Sequence, residues 1–79
     1  MLTADGEVAS RHYITVPQHL GTVEIEALAG EIAEAANVQT VPMVDEKTIG
    51  MAVPIARIEH VRQRVADVGK KNGMVLTFQ

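Results

Sequence analysis

A chain of 79 residues with 47% hydrophobic but only 3% aromatic side chains is one domain, and its core has to be built from Val, Ile, Leu, Met and Ala. The absence of Cys excludes disulfides and thiolate metal sites, and a net charge of −3 argues against general nucleic-acid binding, whose affinity rests on phosphate neutralisation. There is no basic leader and no long apolar run, so a cytoplasmic location without membrane insertion is expected.

Residues 1–10 are low in apolar content and carry Asp5-Gly6, a turn signal; they are expected to form an N-terminal arm, either mobile or a short hairpin extension, with the domain proper at 11–79. The alternating, β-prone run His12-Tyr13-Ile14-Thr15-Val16 predicts a strand that Pro17 ends. After a loop through Gly21, residues 22–36 have helical period, with Thr22 as the expected N-cap. Ile25, Leu28, Ala29, Ile32, Ala33, Ala35 and Ala36 share one side, and Glu24, Glu26, Glu31 and Glu34 the other. Asn37 suits the helix exit. Val38–Val44 predicts a second strand, and Pro42 inside it demands a sheet edge because proline cannot donate to a ladder. Asp45-Glu46-Lys47 is a polar turn into a third strand at 48–53, ended by Pro54. Residues 55–72 return to helical period, with Ile58, Val61, Val65, Ala66, Val68 and Gly69 on one face and an expected Asp67–Lys71 pair on the other. Asn72-Gly73 stops this helix, and Met74–Phe78 predicts a last strand.

The order β-α-β-β-α-β is the split βαβ plan of ferredoxin-like α+β domains. It implies a four-stranded antiparallel sheet of order 4-1-3-2 with two helices on one face. That order puts the second strand at an edge, where Pro42 independently asks for it.

Charge is segregated along this plan. Residues 22–46 hold six acidic side chains and no basic one, whereas 55–71 hold five basic against two acidic. The helices should therefore meet along a seam of opposite charge, or present Glu24, Glu31 and Glu34 and, separately, Arg57, Arg64 and Lys71 to a protein partner. The sheet face away from the helices has no cover. If Val41 and Met43 turn toward the helices, the uncovered face shows Tyr13, Thr15, Val38, Thr40, Val44, Gly50, Ala52, Val75 and Thr77, with no formal charge. Tyr13, Thr15, Thr40, Gly50, Ala52, Val75 and Thr77 are the residues expected to carry self-association, a dimer first of all. A small core adds weight to this, since domains of this size gain only ~3–5 kcal/mol from one core without help.

Little points to catalysis. His12, His19 and His60 show no metal-ligand spacing, the sole Ser, Ser10, falls in the arm without a paired base, and no Gly-rich phosphate loop occurs. No catalytic residue, metal or cofactor is therefore expected, and a His-based enzyme or metal carrier is a distant third reading. Arg62 lies close to the apolar stripe of the second helix. It should snorkel to water, pair with a Glu of the first helix, or meet an anionic ligand.

From Arg11 to Gln79 the chain resembles the ACT domain family of small-molecule regulatory modules. The resemblance lies in the strand Tyr13–Val16, the loop ending Leu20-Gly21, the helix at 22–36 and Asn37-Val38 opening the second strand. It implies pairing through the sheets and a ligand site near the first strand–helix loop, at Gln18, His19, Leu20 and Gly21. The loop Pro17-Gln18-His19-Leu20-Gly21 departs from the family's Asp-x-x-Pro-Gly type. Two functional readings result. The first is a non-catalytic adaptor, regulator or inhibitor acting on a protein partner and self-associating through its sheet. The alternative is a sensor of a small anionic metabolite at the 18–21 loop, where Arg62 would assist.

Overall fold

A computed structural model describes residues 8–79. The elements are β1 (Ala9–Thr15), α1 (Thr22–Ala36), β2 (Thr40–Met43), β3 (Thr48–Pro54), α2 (Ile58–Lys71) and β4 (Thr77–Phe78), with single 3-10 turns at Val44–Glu46 and Ile55–Arg57. The strands form one antiparallel sheet of order β2-β3-β1-β4, the expected order read from the other edge. Pro42 lies on the edge strand β2, as its missing N–H requires. No described helix is long and apolar enough to cross a membrane.

The core is aliphatic. Ile14, Ile49, Met51 and Val53 from the sheet meet Ile25, Leu28 and Ile32 of α1 and Val61, Val65 and Val68 of α2, all buried. These are the stripe positions of both helices and every second residue of the central strands, so periodicity alone selects them. Ala35 and Ala66, expected on the apolar faces, are exposed at the margins.

Both helices end as Asn and Gly dictate. Asn37 adopts φ 54 and lets the Val38 N–H reach the Ala33 carbonyl at 3.2 Å. Gly73 takes φ 67, which brings the Met74 N–H to the Gly69 carbonyl (2.9 Å) and its own N–H to that of Lys70 (3.2 Å). That bond pair is a Schellman closure. The α1 start differs from expectation by one residue: Gly21, not Thr22, is the N-cap, and the Glu24 carboxylate folds back to accept its N–H at 3.4 Å.

Two expectations about the sheet are corrected. First, β1 begins at Ala9, before the expected strand at 12–16, so Ala9 and Ser10 of the arm expected at 1–10 extend the sheet; residues 1–7 of that arm lie outside the described residues. Second, β2 has the opposite face assignment. Its register, Thr40↔Met51, Val41↔Gly50 and Pro42↔Ile49, puts Thr40 and Pro42 on the helix side and Val41 and Met43 on the uncovered side. The Thr40 hydroxyl donates to the Ala29 carbonyl of α1 at 2.9 Å, and Val38 and Val44, flanking the strand, pack against the core. A one-residue offset in pairing turns a whole strand over, and here the flanking valines and the Thr40 bond fix it.

Candidate functional site: the uncovered sheet face

With both helices on one side, the opposite side of the sheet is left to solvent. Three rows of side chains cross it: Arg11 beside Ala52, Tyr13–Gly50–Val41, and Thr15–Thr48–Met43. Thr77 continues the third row from β4. Met74, Leu76 and Phe78 pack on the core, so Val75 alternates to the uncovered side, 83% exposed. Val41 is 62% exposed and Tyr13 38%, both large for an apolar contact surface left open. Tyr13, Thr15, Gly50, Ala52, Val75 and Thr77 thus share this side. Thr40 does not, because its hydroxyl is spent on α1. Nor is the face uncharged as expected: the longer β1 adds Arg11. No acidic side chain lies in the three rows.

Gly50 shapes the middle of this face. A Cβ there would stand 3.2 Å from Met43 Cε and 3.5 Å from Tyr13 Cε1, so the glycine lets both side chains lie down across β3. The result is a shallow trough of about 370 Å³, walled by Arg11 and Tyr13 on one side and Gln39, Val41 and Met43 on the other.

Most basic side chains of the second charged segment are satisfied within the molecule. Arg57 donates to the Ala36 carbonyl (2.6 Å) and the Asn37 carbonyl (3.2 Å), so it caps the C-terminus of α1 and is not an outward-facing contact. Lys71 meets Glu31 across the helix seam at 3.1 Å, in place of the expected Asp67 pair, and Asn72 Nδ2 donates to the same carboxylate at 3.2 Å. Those hydrogen bonds, Lys71 first, lower the Glu31 carboxyl below its ordinary value against a small opposing effect of burial. Asp67 pairs instead with Arg64 on its own helix, at 3.5 Å. Glu34, Arg64 and Lys71 line one groove between the helices, where opposite charges sit side by side. Such exposed pairs each contribute about 0–1 kcal/mol.

The four loop residues and Arg62 are not brought together by any described contact. Leu20 is buried in the core, and its carbonyl accepts the Lys47 ammonium at 2.5 Å, which ties the loop to the β2–β3 turn. Gln18 and His19 are exposed. The Gly21 N–H faces Glu24, so the positive end of α1 already holds a carboxylate. Arg62 snorkels as expected, pairing with Glu59 at 3.3 Å while its guanidinium rests 5.5 Å from the centre of the Phe78 ring.

One polar cluster went unnoticed in the sequence. Ser10 and His12 lie on the same side of β1, with Ser10 Oγ 2.6 Å from His12 Nε2 and His12 Nδ1 2.9 Å from the Gln79 carbonyl. The carbonyl can only accept, so Nδ1 donates to it, and Nε2 of the neutral ring accepts from Ser10. The imidazole also stacks on Phe78, 5.0 Å between centroids and 15° between planes. Ser10 therefore has a base partner after all. The i, i+2 spacing that joins them along a strand is ordinary strand alternation, which gave no reason to single them out. Together these contacts fasten β4 to β1. Among the described residues no three His, Asp or Glu side chains gather as a metal site would need.

The fold and its face define a small α+β domain with a four-stranded sheet covered on one side only. No known protein family, characterised protein or solved structure matches the chain.

Proposed function

We propose that this chain is a non-catalytic interaction module that works through its uncovered sheet face, where it self-associates and binds a protein partner. The observation that supports this reading is the apolar surface of Tyr13, Val41 and Met43, open to solvent and free of acidic side chains. Contiguous apolar surface of this kind marks association sites on small domains. The helix surfaces support it less. Arg57, Arg62, Arg64 and Lys71 all have intramolecular partners.

The test is the solution mass of the chain across a dilution series, beside Val41→Glu. Val41 is 62% exposed on the outward side of the edge strand, so the variant should keep its fold by circular dichroism. The wild type is expected to form a dimer or larger species at high concentration, and the variant to remain a monomer. A wild type that is monomeric throughout, or a variant that assembles equally well, would overturn self-association through this face.

A further inference from the structure

The trough along β3 has a chemical direction. At one end Arg11 and Gln39 flank Ala52; in the middle Tyr13 and Val41 flank Gly50; Met43 closes the far end. Successive rows are two residues apart along the strands, about 6.8 Å. Side chains on one face of an extended chain repeat at that same distance, so an extended segment laid over β3 would match the trough row for row.

The geometry points to an extended segment of a protein partner as its occupant, one that carries an acidic and an aliphatic residue two positions apart. The carboxylate would accept from the Arg11 guanidinium and the Gln39 amide. The aliphatic side chain would sit over Gly50 between the Tyr13 ring and Val41. Charge decides against a second copy as the best occupant. Arg11 has no carboxylate partner among the described residues, and the matching face of another copy has no acid in its rows to supply one. A segment with the acid in place gains the apolar contact and the ion pair together, and so displaces self-association. This inference rests on the sheet face being the contact surface.

Tyr13 is the only Tyr and the chain has no Trp, so its emission reports directly on the middle of the trough. The probes are the peptides acetyl-Ser-Asp-Ser-Leu-Ser-amide and acetyl-Ser-Leu-Ser-Asp-Ser-amide, which cover both chain directions, and the same two with Lys for Asp. They are titrated into the full chain and into Arg11→Glu, at the lowest concentration of the dilution series. The expected result is a saturable change in Tyr13 emission with one Asp peptide and binding at least about tenfold weaker for its Lys counterpart, because like charges face each other there. Arg11→Glu should reverse that order, and Arg11→Gln should erase the preference. Equal binding of Asp and Lys peptides, or an order that survives Arg11→Glu, would overturn the inference. If no peptide moves Tyr13 emission while Val41→Glu still lowers the solution mass, the occupant is wrong and the contact face stands. If Val41→Glu has no effect on mass either, both fall.

Discussion

Two glycines sit inside helices, and the same substitution should have opposite effects at them. Gly30 is exposed in the middle of α1, and a Cβ there would meet nothing within 4 Å. Gly30→Ala gains helix propensity only, about 1 kcal/mol, from the lower backbone entropy of alanine in the unfolded chain. Gly69 is buried in the last turn of α2, where a Cβ would stand 2.9 Å from the Met74 carbonyl oxygen and 3.2 Å from Leu76 Cγ. Leu76 can shift a little. Met74 cannot easily retreat, because its N–H closes the helix on the Gly69 carbonyl at 2.9 Å. Forcing a methyl into filled space costs about 1–3 kcal/mol. Against the same gain of about 1 kcal/mol in propensity, Gly69→Ala should be destabilised by about 1 kcal/mol. The two variants should then differ by about 2 kcal/mol, or roughly 8–16 °C in Tm for a domain of this size. Urea denaturation followed by far-ultraviolet circular dichroism measures both, with unchanged slopes confirming that the unfolded states are comparable. A Gly69→Ala protein as stable as Gly30→Ala would refute the close approach of the 74–76 segment to α2.

Two further effects follow from the helix ends and the seam. Arg57→Ala removes two charge-assisted bonds from the α1 C-terminus and should cost about 1–2 kcal/mol in urea denaturation, with Arg57→Lys restoring only part because one ammonium cannot span both carbonyls. An Arg57→Ala protein indistinguishable from wild type would mean that the guanidinium is not held at α1 in solution. The Glu31 carboxyl titrates lower in the folded chain than in the unfolded one, so its contribution is complete above the ordinary carboxylate range and is lost as pH falls through the folded value. Glu31→Gln should therefore lower stability slightly at neutral pH, by no more than about 1 kcal/mol for so exposed a pair, and the gap to wild type should close in acid. A gap that widened on acidification would have the wrong sign for this pairing.

Much of the architecture was legible in local sequence. The bounds of α1, Thr22–Ala36, match the extent of its helical period, and Asn37 and Asn72-Gly73 end the helices where their tolerance of tight exits predicts. The edge position of β2 was legible from Pro42 alone. The candidate site was legible only in part. Tyr13, Gly50 and Ala52 fall on the uncovered face because their strands alternate cleanly, but Thr40 and Val41 exchange sides. In β2 hydrophobicity favoured burying Val41 and Met43. The actual choice was made by the Thr40 bond to Ala29 and by Val38 and Val44, which lie just outside the strand and reach the core around its ends.

The sequence by itself determined what depends on neighbours within a few residues: helical period, strand alternation, helix exits, the proline at an edge and an aliphatic core. Each of these follows from local backbone geometry and from the side of an element that water must leave. Only the tertiary structure decided which charges remain free. Arg57 on α1, Lys71 on Glu31, Lys47 on the Leu20 carbonyl and His12 between Ser10 and Gln79 all join residues far apart in the chain or across elements. A long side chain on a surface has several partners within reach, and its choice is set by distances that exist only once the elements are packed. For that reason most basic side chains of the second charged segment, the most conspicuous feature of the sequence together with the acidic first helix, settle on partners within the molecule, and the quieter face of the sheet is left open.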